Sequence, residues 1–208
     1  MILKKLLALA LIVASAPAFS AIVTVDFEKT WDFANGDVNN YYNGGTAADG
    51  STGGPNLGVS FVNVSGLTND ALGPYFSGAP SPQSIAYAHD TGAYMNVTAG
   101  AVDALTFYYS SPSAVIGAVT AWSGLNGTGT LLGSFDIAST NATGIYDRWT
   151  QATFAFSGTA LSFDFTGTSG IAGLDNVSVN AVPLPAAVWL FGAGWAAMFG
   201  AGKRRKQA

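Results

Sequence analysis

The stretch Ala104-Leu105-Thr106-Phe107-Tyr108-Tyr109 decides the fold class of this 208-residue chain. Its apolar side chains at 105, 107 and 109 recur with a period of two, which places them on one buried face of a β-strand. A second stretch, Ala160 to Phe165, repeats this alternation with Leu161, Phe163 and Phe165. Helical periodicity is nearly absent between residues 21 and 181, so the sequence predicts an all-β domain there.

Ten short β-rich runs, separated by Gly, Asn, Ser, Thr and Pro, make up this domain. The predicted strands are Ile22–Phe27, Val59–Val64, Ile85–Tyr87, Tyr94–Val97, Ala104–Tyr109, Val115–Trp122, Leu131–Ile137, Thr150–Phe156, Ala160–Phe165 and Gly173–Val179. Asn126-Gly127 marks a tight hairpin, because a type I′ turn requires positive φ at both central residues. The pattern predicts an antiparallel β-sandwich of the jelly-roll type, and no crossover helix for a parallel sheet is visible.

The two ends of the chain differ sharply from this domain. Residues 1–20 carry a basic start, an apolar run and small residues at Ala16-Pro17-Ala18 and Ala18-Phe19-Ser20, the pattern of a signal peptide. We expect cleavage after Ser20, with Ala18 as the alternative and a permanent N-terminal anchor as the competing interpretation. Export then requires the Sec translocon and signal peptidase.

The C-terminal segment 182–208 has three parts in a fixed order. The short motif Val182-Pro183-Leu184-Pro185-Ala186 comes first, and 17 uncharged residues, about 186–202, follow. A helix of that length spans roughly 25 Å, slightly less than a ~30 Å hydrocarbon core. The basic residues Lys203, Arg204, Arg205 and Lys206 then favour a cytoplasmic C-terminus. A single transmembrane helix is predicted, against the alternative of a buried core helix with a basic tip.

This tail resembles the PEP-CTERM sorting signal of Gram-negative bacteria, in the variant named for Val-Pro-Leu-Pro-Ala. The match runs through Ala187-Val188-Trp189-Leu190-Phe191-Gly192-Ala193-Gly194. The resemblance implies recognition by an exosortase-type enzyme of the inner membrane, with cleavage near Val182 to Pro185. The protein is then expected at the cell surface or outside the cell, after transient anchoring in the inner membrane.

Charge is distributed unevenly in the predicted exported domain, residues 21–181. Only Lys29 and Arg148 are basic there, against all twelve Asp and Glu of the chain, which gives a formal charge of −10. Such a surface repels phosphate backbones, so nucleic acid is excluded as a partner. The chain has no cysteine, which excludes disulfides and zinc sites of the Cys type.

An acidic domain suits a hard cation such as Ca²⁺. Asp26 and Glu28 lie at the end of the first predicted strand on one face, and Asp175 and Asn176 lie in the last. These four residues form the predicted set of ligands for a structural calcium ion. The alternative is that Asp175-Asn176 forms a turn or bulge and Asp26 faces water.

Aromatic residues in loops are candidates for sugar contact, because a ring face matches the apolar C–H face of a sugar. These residues are Trp31, Tyr41, Tyr42, Tyr75, Trp122 and Trp149. The pair Tyr41-Tyr42 is the favoured glycan contact, while the alternative is that such rings close the ends of the sandwich core.

No motif of a known enzyme stands out. His89 is the only histidine, and the chain lacks the Gly-x-Ser-x-Gly turn of serine hydrolases. We therefore expect a protein that is not an enzyme, with a glycan-active hydrolase as a minor alternative.

The exported domain also resembles a recurrent cargo of such sorted proteins. The segments that carry this resemblance are Tyr42–Thr46, Gly54–Phe61, Met95–Val97, Ser123–Gly129, Phe156–Ala160 and Gly173–Val179. Those cargo domains are similar to the galactose-binding-like sandwiches of carbohydrate-binding modules. The sequence thus predicts a structural or adhesive protein of a biofilm or envelope, with an exopolysaccharide-binding module as the alternative.

Overall fold

The structure is a computed structural model that describes residues 21–70, 74–141 and 146–182. Antiparallel strands make up most of the regular structure in this part of the chain. Within those ranges there are ten strands and two 3₁₀ helices, Phe33–Asn35 and Thr166–Thr168. The strands are β1 (Ala21–Val25), β2 (Val59–Val62), β3 (Val64–Thr68), β4 (Ser84–Ala88), β5 (Tyr94–Ser110), β6 (Val115–Trp122), β7 (Leu131–Ile137), β8 (Thr150–Ala155), β9 (Ala160–Asp164) and β10 (Gly173–Ala181). The predicted all-β, antiparallel class is confirmed.

β5 is the strand that joins the two layers of the sandwich. Its first half pairs with β2 and β9, and its second half pairs with β8 and β10. Between the halves the chain passes through positive φ at Gly100 (86°) and Asp103 (70°), and the register with β9 shifts. Such a break lets one strand turn from one sheet into the other.

Two strand boundaries differ from the sequence prediction. The predicted strands Tyr94–Val97 and Ala104–Tyr109 are parts of one continuous strand, β5. The run Val59–Val64 divides into β2 and β3 at Asn63, whose φ is 51°. Asn adopts the left-handed region more readily than most residues, because its short amide bonds locally to the backbone. The hydrophobic pattern alone does not report such a backbone break.

The core lies between the two layers and is rich in aromatic rings. Leu105, Phe107 and Tyr109 of β5 are buried, as their alternation predicted. The Phe107 ring contacts Phe135 of β7 and Phe165 just after β9, with centroids 6.0 and 6.1 Å apart. These edge-to-face contacts join the second half of β5 to the opposite layer.

The predicted hairpin is also confirmed. Asn126 and Gly127 have φ values of 52° and 67°, and Leu125 accepts a hydrogen bond from the N–H of Thr128 across the turn. β6 and β7 pair on either side of it.

The described unit runs from Ala21 to Val182. The predicted signal peptide 1–20 with Ala18 and Ser20, and the tail from Pro183 through Leu184, Pro185 and Ala186 to the basic residues 203–206, lie outside the described residues. Among those that are described, no helix combines the length and apolar character needed to cross a bilayer.

Candidate functional site

A groove lined largely by aromatic and aliphatic side chains opens on one side of the domain, with a volume of about 360 Å³. We call it the Tyr75 groove. Its lining residues are Phe33, Leu67, Tyr75, Ile85, Tyr87, Tyr146, Gly170, Ile171, Ala172 and Gly173. A concave apolar surface of this size is the usual form of a small-ligand site.

The exposed rings of Phe33 and Tyr75 both line this groove and lie almost parallel to each other. Phe33 is 66% exposed and Tyr75 is 38% exposed. Their centroids are 5.8 Å apart and their planes differ by 14°. Large apolar rings are normally buried, so two neighbouring exposed rings beside a groove indicate a binding surface.

The Phe33 ring is held outward by the buried residue that comes two positions before it. Trp31 is buried, its indole N–H donates to the carbonyl of Phe27 and its backbone N–H donates to Thr68 Oγ1. Asp32 then caps the 3₁₀ helix by accepting the N–H of Ala34 at 3.0 Å. The anchor and the cap together fix the start of the segment that carries Phe33.

The Tyr75 ring is fixed by the side chain of Asn69. The amide oxygen of Asn69 accepts the backbone N–H groups of Tyr75 and Phe76 at 2.8 and 3.2 Å, and its amide nitrogen donates to the Phe76 carbonyl. Phe76 is buried and packs edge-on against Trp149. Because the next residue along the chain is anchored in the interior, the Tyr75 ring is directed outward.

The floor of the groove comes from β-strands, and its far wall comes from the segments around Tyr146 and Ile171. Ile85 and Tyr87 lie on β4, and Gly173 of β10 pairs with Tyr87. Tyr146 donates its hydroxyl to the carbonyl of Ile171 at 2.9 Å, which joins the two segments of the far wall. These contacts fix the floor of the groove and join its far wall to the rest of the domain.

The predicted glycan contact at Tyr41 and Tyr42 is wrong for Tyr42. That ring is 3% exposed and packs against Phe27 and Phe61 in the core. Tyr41 is half-buried, with its ring edge-on to Trp31 and to Tyr42. The two tyrosines close one end of the core, which is the alternative that the sequence left open.

Sequence reasoning placed Tyr75 among six loop aromatics and missed Phe33. The two residues are 42 positions apart, and only the fold brings their rings together. Of the three loop tryptophans, Trp31 is buried, and Trp122 and Trp149 are half-buried with their indole N–H groups bonded to Thr120 and Ser77.

The predicted calcium ligands lie around Ser81. The carboxylate of Asp175 is buried and accepts the Ser81 N–H at 2.8 Å, the Ser81 hydroxyl at 2.5 Å and the Asn176 N–H at 2.8 Å. Ser81 Oγ also lies 3.0 Å from the carbonyl of Asp26. Asn176 has a φ of 48° at a register shift in β10, so the alternative of a bulge at Asp175-Asn176 is confirmed.

The carboxylates of this group are directed at N–H donors of the protein. Glu28 Oε1 accepts the backbone N–H groups of Gln83 and Ser84, both at 2.9 Å, and Asp26 Oδ1 accepts the N–H of Glu28. Within the described ranges, no cluster of three or more His, Asp or Glu side chains is arranged to hold a metal ion. Calcium binding by Asp26, Glu28, Asp175 and Asn176 stays a prediction from the sequence.

Burial raises the pKa of the Asp175 carboxyl to about 6, although hydrogen bonds from Ser81 and Asn176 lower it, and nearby Glu28 adds to the rise. Because this folded-state pKa lies above the ordinary value of 3.8, the group contributes stability at low pH that is lost as the pH rises through 6. We expect the free energy of unfolding to increase by about 1 kcal/mol between about pH 7 and about pH 5, measured by urea denaturation.

Asp175→Asn is the control for this expectation, because an amide does not titrate. Its increase over the same pH interval should be smaller by about 1 kcal/mol than that of the unaltered protein. Identical increases in the two proteins would show that Asp175 does not titrate in this range.

His89 lies beside Asp37 but in the wrong arrangement for a catalytic triad. His89 Nε2 is 2.9 Å from Asp37 Oδ1, and the hydroxyl of Ser65 donates to the same Oδ1. The carboxylate therefore stands between the serine and the histidine, whereas a triad needs the histidine between the other two. This group ties β3 to the loop that precedes β2 and offers no activated nucleophile.

Comparisons with known proteins find structural similarity but no sequence family. No family model matches the chain, and no curated protein matches it. Among solved structures, the module CsCBM6-3 of Clostridium stercorarium in complex with cellobiose has 18% identity over 59% of this chain and 86% of its own, with a TM-score of 0.37. The CBM35 module of Paenibacillus barcinonensis has 16% identity over 60% of this chain and 93% of its own, with a TM-score of 0.39. A family 35 carbohydrate-binding module of Clostridium thermocellum has 18% identity over 60% of this chain and 92% of its own, with a TM-score of 0.38.

Proposed function

We propose that this protein binds carbohydrate in the Tyr75 groove and is not an enzyme. The observation that carries the proposal is the pair of near-parallel, exposed rings of Phe33 and Tyr75 at the groove. A sugar presents an apolar C–H face that packs on an aromatic ring, while its hydroxyls remain available for hydrogen bonds. Tyr75 supplies such a polar group, because its hydroxyl lies 3.2 Å from Asp70 Oδ2.

The separation of the two rings decides how a sugar would lie. A pyranose between two rings needs about 7–8 Å, twice a van der Waals contact of ~3.5–4.0 Å. The 5.8 Å between the centroids is too small for that. The sugar therefore packs against the outer face of a ring and continues along the groove.

The composition of the groove favours binding over catalysis. No acidic residue is among its described lining residues, whereas glycosidases act with two carboxylates that flank the scissile bond. The groove also favours the carbohydrate-binding interpretation over a purely structural role, because a scaffold gains nothing from exposed apolar rings.

Substitution of the two rings tests the proposal directly. We expect Phe33→Ala and Tyr75→Ala each to weaken binding about tenfold, or about 1.4 kcal/mol, because each removes one stacking surface. The measurement is affinity electrophoresis of the full-length chain, in mild detergent, through gels containing a panel of neutral and acidic polysaccharides.

Ile116→Ala is the matched control, since Ile116 is 91% exposed and lies on β6, outside the residues that line the groove. This variant should migrate as the unaltered protein does in every gel. Retardation that survives both ring substitutions would place the binding surface elsewhere, and no retardation by any polysaccharide would overturn the proposal. Release of reducing ends during incubation would contradict the absence of catalysis.

Export and sorting belong to the same proposal and rest on the sequence patterns at the two ends. The signal peptide 1–20, the motif at Val182–Ala186 and the basic stop 203–206 would deliver a jelly-roll module through the inner membrane, where a single C-terminal helix anchors it for exosortase cleavage. The intact mass of the native protein, measured by cell fraction, tests this. A mass ending near Val182 outside the inner membrane supports sorting, and an uncleaved tail in the inner membrane contradicts it.

A further inference from the structure

The charges around the Tyr75 groove are mostly of one sign. Three exposed carboxylates adjoin its rings: Asp32 precedes Phe33, Asp147 follows Tyr146, and Asp70 lies by the hydroxyl of Tyr75. None of the three is part of the apolar lining itself. We call these three carboxylates, two adjacent in sequence to lining residues and one in contact with Tyr75, the acidic rim.

The domain has two basic side chains to set against these three carboxylates, and one of them already has a carboxylate partner. Lys29 forms an ion pair with Asp49, and its ammonium group lies 4.2 Å from the centroid of the Trp31 ring. Its side chain is 13% exposed. Arg148, next to Asp147, is the other basic residue of the domain. Three rim carboxylates therefore stand against one exposed basic side chain, Arg148, which leaves an excess of negative charge beside the groove.

We propose that the groove selects neutral glycan chains and rejects chains that carry uronate or sulfate groups; this rests on the proposed function. Ring stacking acts on the C–H face of any pyranose and does not distinguish acidic from neutral sugars. The acidic rim provides the distinction, because an anionic sugar brought onto the rings meets like charge within a Debye length. A neutral chain meets no such repulsion.

The test compares a neutral and a uronate polysaccharide in affinity gels at low and high salt. The full-length chain should be retarded by neutral β-glucan or galactomannan equally at ~10 mM and ~500 mM salt, since uncharged contacts are not screened. Polygalacturonate should retard the chain far more weakly than the neutral polysaccharides at ~10 mM salt, where repulsion acts over about 30 Å.

Removal of the rim charges tests the mechanism. Asp32→Asn/Asp147→Asn should increase affinity for polygalacturonate about threefold at ~10 mM salt and leave neutral glycan binding unchanged. Asn also preserves the cap at position 32. The charge-matched control is Asp103→Asn/Asp136→Asn, on β5 and β7 away from the groove residues; it alters net charge equally and should have no such effect.

The outcomes separate the two proposals. Retardation by polygalacturonate equal to or stronger than that by neutral chains, lost on Tyr75→Ala, would overturn the selection for neutral glycans and leave carbohydrate binding in place. Equal effects of the rim variant and the control would show that net charge, and not the rim, excludes uronates. No retardation by any glycan would overturn both.

Discussion

Replacing Phe107 with alanine should destabilise the domain by about 3–5 kcal/mol, because the change removes a fully buried ring and leaves a cavity. Phe107 has no exposed surface and its ring contacts Tyr109, Phe135 and Phe165. Domains of this size are stable by about 5–15 kcal/mol, so the variant should be close to unfolding. Urea denaturation followed by circular dichroism measures the loss.

The matched control for this prediction is the same substitution at the groove. Phe33→Ala also removes a phenyl ring, but that ring is 66% exposed, so its cost should stay within about 0.5 kcal/mol. Similar costs for the two substitutions would contradict the position of the core described for β5. Since Phe33→Ala keeps the fold intact, its loss of glycan binding is interpretable.

Gly66→Ala should also be strongly destabilising, by about 1–3 kcal/mol or more, because the core has no room for the added methyl group. A Cβ at Gly66 would lie 2.3 Å from two ring carbons of Trp31. Trp31 cannot move away easily, because its indole N–H donates to the Phe27 carbonyl and its backbone N–H donates to Thr68 Oγ1. Thermal unfolding of the variant measures the effect.

This variant should also weaken glycan binding, since displacement of Trp31 moves the segment that carries Phe33. A double-mutant cycle separates this clash from other effects of alanine at position 66. In a Trp31→Ala background the added methyl should cost less than about 1 kcal/mol. An equal cost in both backgrounds would show that the steric conflict lies elsewhere.

The strands could be predicted because their signals are local. Alternation in β5 and the Asn-Gly turn before β7 follow from side-chain period and from backbone sterics over a few residues. The continuity of β5 and the break at Asn63 could not be predicted in this way. They depend on positive φ at Asp103 and Asn63, which the surrounding structure imposes and the hydrophobic pattern does not reveal.

The groove was only partly predictable, because its rings come from distant parts of the chain. Tyr75 and Tyr42 both lie in loop sequence rich in Gly, Asn or Pro, and nothing local separates them. The backbone N–H of Tyr75 donates to Asn69 and its ring is exposed, whereas the ring of Tyr42 is buried against Phe27. Long-range packing decides which aromatic is available to a ligand.

The surroundings of the predicted calcium ligands were also only partly predictable from the sequence. Asp26, Glu28 and Asp175 do come from the first and last strand regions that the sequence brought together. The carboxylates of Glu28 and Asp175, however, accept backbone N–H groups of residues 81–84. Those partners lie in a segment between the two strands that no spacing rule relates to either one.

The most direct test of carbohydrate binding in the Tyr75 groove is a nuclear magnetic resonance titration of the labelled full-length chain with soluble neutral oligosaccharides. The account predicts shifts of the amide signals of Ala34, which follows Phe33, and of the lining residues Tyr75 and Ile171, and no change at Asn126, which is outside that lining. Shifts confined to the hairpin or to other surfaces, with the groove signals unchanged at saturating sugar, would contradict it.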